Sequence, residues 1–242
     1  LGYLLWRAKD LKLIRLKMSA KSIALAFRNV GYHCRIGSST LLGELALAVM
    51  FYVGNRVFMH YLGDTGVGAY GIACYYMPFF FMVGNSIAQS AQPIISYNYG
   101  IDRWTRIVEA RKVLLMTCLG FGVAVSLIFI LFPKGLVGLF IPIESEAAII
   151  AINGFPLLSI GILFFILNVA IIGYYQSVER MGKATLYVFL RGFVFIVPCF
   201  LILPKFLGTV GIWLAMPASE LLTSLFIALS VLPSRLKSLR KR

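Results

Sequence analysis

The sequence has few of the residues that build soluble enzymes and metal sites. Only 13% of its 242 residues are charged and 60% are hydrophobic, whereas soluble domains average about 25% and about 45–50%. Histidine occurs only at His33 and His60, and the four cysteines stand singly, without a CxxC pair. This composition excludes an ordinary soluble globular protein, and we expect no disulfide, no metal site and no cofactor.

Motifs of intramembrane enzymes are also missing from the apolar stretches. They contain no Ser/His pair, no HExxH motif and no GxGD-type diacid, so we do not expect an enzyme. The sequence begins at Leu1 rather than at a methionine, and no apolar run suited to a signal peptide follows. We therefore expect it to begin inside a longer protein.

The apolar residues fall into six long runs. They cover about residues 38–62, 67–95, 110–132, 147–175, 184–203 and 209–232, and each can cross a bilayer, which takes about 20 residues. The sequence predicts an all-α polytopic membrane protein with a bundle of six transmembrane helices. We assign residues 1–35 to a basic amphipathic connector, 36–232 to the six-helix lobe and 233–242 to a basic tail.

The basic residues indicate the orientation of the six spans. The connector, the loops at 98–112 and 179–183 and the tail hold 19 of the 23 Lys and Arg residues, and all four regions fall on one side of the membrane. The positive-inside rule places this side, with both termini, in the cytoplasm. The net charge of +14 is then explained by lipid topology rather than by nucleic acid, and we expect a multi-pass protein of the inner (plasma) membrane.

One carboxylate, Glu44, lies within the first span. Glu44 is about 9 Å from the start of that span. Inserting an acidic side chain near the centre of a membrane helix costs about 2.5–3.5 kcal/mol. Such a group is expected to face a bundle interior or an aqueous path, where it can bind a proton or another cation. We predict that Glu44 binds the coupling cation or a cationic substrate; the alternative is a carboxyl that is merely hydrogen-bonded.

Polar and aromatic side chains recur at helical spacing in three of the spans. On one face of a helix they can line a path for substrate or water, or they can join helices by hydrogen bonds. The residues predicted to line a cavity are Phe51, Asn55, Asn85, Gln89, Gln92, Asn168 and Gln176.

Two further charges, Arg191 in the fifth span and Glu220 in the sixth, are predicted to form a structural ion pair. Opposite charges in lipid need each other, and both lie well inside their spans. The competing assignment pairs Arg191 with Glu44 and leaves Glu220 as the free acid. Depth along the helices does not decide between the two.

Several runs of residues resemble the C-terminal lobe of multidrug and toxic compound extrusion (MATE) transporters, that is, helices seven to twelve. They include Glu44 to Ala46 and residues 61–64 (YLGD), 89–100 (QSAQPIISYNYG), 190–192 (LRG) and 211–220 (GIWLAMPASE). The order of these runs and their placement on the six spans also match the family pattern.

The resemblance implies a twelve-helix antiporter of two six-helix lobes that exports cationic amphipathic drugs or metabolites in exchange for H⁺ or Na⁺. In that family an acid of the seventh helix binds cation and substrate, and Glu44 falls on its position. An acid sometimes used on the tenth helix has no counterpart, because Asn153 and Asn168 stand in the fourth span. The expected partners are the lipid bilayer, a small cationic substrate, and the missing N-terminal lobe or a second copy of this chain.

Two other functions remain open from the sequence. The chain could be a transport-inactive six-helix fragment that only packs with other proteins. It could also be half of a related flippase for a lipid-linked substrate, although such a protein would be expected to line its cavity with several cations, and only Arg191 lies well inside a span.

Overall fold

The computed structural model describes the backbone of residues 20–239 and all side chains between residues 37 and 230. Most of the predicted connector, residues 1–19, and the end of the tail, residues 240–242, lie outside the described residues. The chain divides into two compact units after Ser38, close to the predicted start of the lobe at residue 36.

Helices account for nearly all of the described chain, and it contains no strand. The helices are Ala20–Gly100, Trp104–Leu131, Pro133–Gly138, Glu146–Ser177, Met181–Phe189 and Ile196–Leu239, and a π-helical turn, Leu190–Phe195, joins the last two. Four stretches are long and apolar enough to cross a membrane: Gly37–Gly100, Trp104–Leu131, Glu146–Ser177 and Met181–Ser230. The predicted all-α membrane fold is confirmed.

The first of these stretches reverses direction at Gly63. This glycine has φ 65° and ψ −156°, a conformation that is essentially closed to residues with a Cβ. Beyond it, the Tyr70 ring stacks on the Phe58 ring with 4.5 Å between centroids, although an unbroken helix would separate these residues by about 18 Å. Residues 37–62 and 64–100 are therefore two antiparallel spans, and the reversal falls between the predicted runs 38–62 and 67–95.

The last stretch reverses in the same way at Gly208, with φ 57° and ψ −134°. The sequence predicts the turn at Pro204 and Lys205, and that position is wrong by about four residues. Proline fixes φ near −65°, which a helix accepts in its first turn, whereas a reversal needs the positive φ that glycine supplies. With this break, residues 181–207 and 209–230 are the fifth and sixth spans, and the lobe has six.

The fourth span, Glu146–Ser177, is the most enclosed of the helices. In its most apolar part 61% of the residues are buried, compared with 28% in the third span, Trp104–Leu131. Its Phe155 stacks on Phe129 of the third span, with 5.1 Å between centroids, and Gly154 lets the Trp213 ring of the sixth span approach the backbone. The fourth span therefore packs against spans on both sides and carries interior side chains of the lobe.

We predict that Gly63→Ala lowers the free energy of unfolding by about 1–3 kcal/mol, because alanine resists the positive φ. No atom lies within 4 Å of the added Cβ, so the loss would report backbone strain alone. Gly71→Ala is the matched control, since Gly71 is helical and equally open, and it should be neutral or stabilising. Thermal unfolding in detergent would compare them, and equal behaviour would contradict the reversal at Gly63.

Candidate functional site

The two charged side chains of the fifth and sixth spans meet inside the lobe. Arg191 Nε donates a hydrogen bond to Glu220 Oε1 at 2.7 Å, and only 5% and 3% of the two side chains are exposed. A continuous helix would separate these residues by about 43 Å. The reversal at Gly208 is therefore what brings the two charges together.

The fourth span completes the coordination of the Glu220 carboxylate. Asn168 Nδ2 donates to Glu220 Oε2 at 2.8 Å and to the Glu220 backbone oxygen at 2.9 Å, while Ser224 Oγ donates to Asn168 Oδ1 at 2.8 Å. The Arg191 guanidinium also lies over the Phe165 ring, 4.0 Å from its centroid. We call these five residues the buried charge cluster.

Hydrogen bonding decides whether burying such an ion pair raises or lowers the stability of the fold. Desolvating two ions costs several kcal/mol each, which their attraction offsets only when the remaining polar atoms are also bonded. Among the described side chains, no buried nitrogen or oxygen lacks a hydrogen-bond partner. Both carboxylate oxygens of Glu220 and both polar side-chain atoms of Asn168 are hydrogen-bonded within the cluster, which joins the fourth, fifth and sixth spans.

Arg191 lies on the π-helical turn Leu190–Phe195, a rare geometry that recurs at functional sites. The next residue, Gly192, touches the first span: a Cβ added to Gly192 would collide with the Cβ of Ala46. Small residues at such a crossing let two membrane helices approach closely. The buried charge cluster is therefore connected by direct packing to a point two residues from Glu44.

Glu44 itself lies on the outward side of the first span. The inward side carries Ala46, Leu47 and Met50, which are buried, whereas Glu44 and Asn55 are exposed. Within residues 37–230 Glu44 has no ion-pair partner. Arg191 pairs with Glu220 and not with Glu44, so the carboxylate of the first span faces away from the lobe interior.

The other predicted lining residues divide into two groups. Gln89 and Gln92 of the second span are exposed, and Phe51 and Asn85 are half-buried. The two predicted lining residues of the fourth span, Asn168 and Gln176, instead bond to other residues of the protein. Asn168 is fully buried in the charge cluster, and Gln176 Nε2 donates to Ser39 Oγ at 2.9 Å.

Sequence reasoning missed Ser224, Phe165 and the contact between Gly192 and Ala46. The signal for the first two was spacing: Ser224 follows Glu220 by four residues and Phe165 precedes Asn168 by three, so each pair shares a helix face. The contact of Gly192 with Ala46 had no comparable signal, because it depends on the π-helical turn.

A cavity of about 190 Å³ lies near the helix reversals at Gly63 and Gly208. Leu62, Asn153, Thr209 and Trp213 contribute to its walls. Leu62 is eighteen residues beyond Glu44 on the same span, or about 27 Å along the helix. This cavity and Glu44 are therefore separate features.

The fold and the site define a polytopic, all-α membrane protein with a buried charge cluster between its fourth, fifth and sixth spans and an exposed acid on its first span. The family model described as MatE matches residues 40–201, about two thirds of the sequence. The chain belongs to the MatE family.

Solved structures of low sequence identity share this fold. The Vibrio cholerae MATE transporter VcmN, in its bent form, is 16% identical with a TM-score of 0.81 over 98% of this chain and 53% of its own. The MATE multidrug transporter DinF-BH is 23% identical with a TM-score of 0.72 over 86% of this chain and 46% of its own.

A transporter of the MOP superfamily from Pyrococcus furiosus is 16% identical, with a TM-score of 0.75 over 91% of this chain and 50% of its own. The chain thus spans about half the length of the solved structures that it matches. A search of curated proteins gave no match.

We predict that Glu220→Ala lowers the free energy of unfolding by about 3–5 kcal/mol, because it leaves Arg191 buried without a counterion. The control is Glu109→Gln, which removes an acid from the exposed pair with Arg106 and should change stability by less than about 1 kcal/mol. Thermal unfolding in detergent would measure both. A Glu220→Ala protein as stable as the control would contradict the buried charge cluster.

We also predict that Gly192→Ala displaces the first span, because its new methyl group overlaps the Ala46 methyl group. Ala46→Gly removes the second methyl but leaves the Ala46 Cα close to the new methyl, so the double variant should recover part of the lost stability. A double-mutant cycle of melting temperatures would show this coupling. Additive losses from the two single changes would show that these residues do not touch.

Proposed function

We propose that this chain forms one lobe of a secondary antiporter, in which Glu44 binds the coupling cation and the cationic substrate in turn. The main support for this proposal is that Glu44 is exposed within a membrane span, whereas Arg191 and Glu220 are buried and paired with each other. An unpaired acid facing lipid is costly, so its side of the lobe is expected to border water or another protein.

The neighbouring side chains fit such a border. Asn55 on the first span and Gln89 and Gln92 on the second are also exposed, and amides can bind both water and a polar substrate. A second six-helix lobe, or a second copy of this chain, would convert this open side into one wall of a central cavity. The coverage of about half of each solved neighbour supports this arrangement.

Exchange follows from competition for a single carboxylate. H⁺ or Na⁺ neutralises Glu44 in one state, and a cationic amphipathic compound neutralises it in the other, so the two cannot bind together. If the lobes move past one another to open each side of the membrane in turn, each cycle releases one cation and takes up the other. The multidrug transporters among the structural neighbours support cationic drugs or metabolites as the substrate class.

A flippase for an anionic lipid-linked substrate would need free cations along the same wall. Arg191, which lies well inside its span, is occupied by Glu220, and Arg56, near the far end of the first span, lies over the Tyr52 ring. The charges of this lobe therefore favour a cationic substrate over an anionic one.

The test is dye transport in everted membrane vesicles that contain the complete transporter with this chain as one lobe. We expect Glu44→Gln to reduce gradient-driven uptake at least about tenfold, because an amide cannot exchange cations. Glu109→Gln, an exposed acid outside the proposed site, should transport normally at equal expression. Normal uptake by the Glu44→Gln protein would contradict the proposal.

Two further measurements separate the alternatives. Collapse of the pH gradient or of the sodium gradient by a selective ionophore identifies the coupling ion. Purified chain reconstituted alone, and then together with a second lobe, tests whether one lobe suffices. Absence of uptake in both preparations would favour a transport-inactive structural protein.

A further inference from the structure

The second and fourth spans end in the same loop geometry. Asp102 and Glu179 both have positive φ, 55° and 56°. After each acid an arginine N–H caps the preceding helix: Arg103 N donates to Asn98 O and Arg180 N to Tyr175 O, both at 2.9 Å. This is the Schellman helix ending, and in both loops it places an arginine immediately after the last turn.

The two loops lie side by side at one end of the lobe. Ser96 Oγ, near the end of the second span, donates to the Ser177 backbone oxygen at the end of the fourth span, at 3.1 Å. The loops and the helices that follow them carry twice as many basic as acidic residues. The basic residues are Arg103, Arg106, Arg111, Lys112, Arg180 and Lys183.

Two of these cations lie over a pair of tyrosines. Arg111 Cζ is 5.6 Å from the centre of the Tyr174 ring, and Lys183 Nζ is 5.5 Å from the centre of the Tyr175 ring. The two rings meet edge to face, with 5.4 Å between centroids. Both cations are half-buried, and neither has an ion-pair partner among the side chains from residue 37 to 230.

An aromatic ring orients a cation without using its hydrogen-bond donors. The guanidinium keeps an N–H fork that suits phosphate, and the ammonium keeps its three N–H groups. Charge-assisted bonds to a phosphate oxygen are therefore available to both. The four residues thus hold two half-buried cations, with free hydrogen-bond donors, over one pair of adjacent rings.

The two tyrosines lie near the end of their span, where a lipid headgroup is expected. Tyr174 is three residues from the end of the fourth span, about 5 Å along the helix, and tyrosine with basic residues is typical of the membrane interface. Arg111 begins deeper, but its guanidinium lies over Tyr174, so its apolar stem spans the difference. Val108 and Met116 on the third span are exposed on either side of Arg111 and offer apolar surface to an acyl chain.

We propose that Arg111 and Lys183, held over Tyr174 and Tyr175, bind the phosphate of an anionic phospholipid. The lipid would bridge the third and fifth spans, which carry the two cations. Basic pockets between membrane helices at the interface recognise such headgroups. The proposal does not depend on the proposed antiport, because none of its four residues has a role in cation exchange there.

The test measures lipid binding to the purified full chain in neutral detergent by native mass spectrometry, with phosphatidylglycerol as the probe and phosphatidylcholine as the uncharged reference. Arg111→Gln combined with Lys183→Gln should weaken phosphatidylglycerol binding at least about tenfold, because two charge-assisted contacts are lost. Binding of phosphatidylcholine should not change.

The matched control is Lys112→Gln. Lys112 adjoins Arg111 and carries the same charge, but it is exposed, and its loss should change the affinity by no more than about twofold. Equal weakening by Lys112→Gln would overturn the proposal, because it would show attraction to net charge alone.

Two other outcomes would also overturn it. Equal affinity of the unmodified chain for both lipids would show no recognition of the phosphate charge. Inorganic phosphate that displaces phosphatidylglycerol at similar concentrations would indicate a site for soluble anions. The single variants Arg111→Gln and Lys183→Gln are measured alongside the double variant, with melting temperatures in phosphatidylcholine as the folding control. If neither single variant changes the affinity for phosphatidylglycerol, the proposal is overturned even if the double variant does not fold.

Discussion

The contact between Arg191 and Glu220 is the interaction on which the arrangement of the last three spans depends. Either charge alone within an apolar bundle would be far more costly than the pair. Glu220 also accepts from Asn168 of the fourth span, so one carboxylate joins three helices. The contact requires the chain to reverse at Gly208 and the Arg191 side chain to lie inward from the π-helical turn.

Close packing carries the effect of this pair to the first span. Between helices in lipid the hydrophobic effect contributes little, because lipid tails are as apolar as leucine, so tight contact and buried polar groups hold the bundle together. Gly192 rests on Ala46, and Gly173 rests on Ala88 of the second span in the same way. The first two spans therefore pack against small residues of the fifth and fourth spans, which also contribute residues to the charge cluster.

The sequence predicts much of this lobe because two of its signals are strong. Long apolar runs define the spans. Two opposite charges within apolar spans are far less costly when they pair, as Arg191 and Glu220 do. The rotation of each helix about its axis is less predictable, because it depends on packing: Asn168 has the spacing of a lining residue and yet lies in the charge cluster. Likewise Pro204 resembles a turn, but the reversal takes place at Gly208, where positive φ is available.

The charge cluster and the exposed carboxylate of Glu44 have opposite requirements. The polar groups of the charge cluster satisfy one another, so the lobe needs nothing from outside to neutralise them. Glu44, Asn55 and Gln89 are exposed, and among the side chains from residue 37 to 230 Glu44 has no ion-pair partner, because Arg191 is occupied by Glu220. The proposed antiport requires a carboxylate of this kind, because an exchangeable cation must be able to reach it and to leave it.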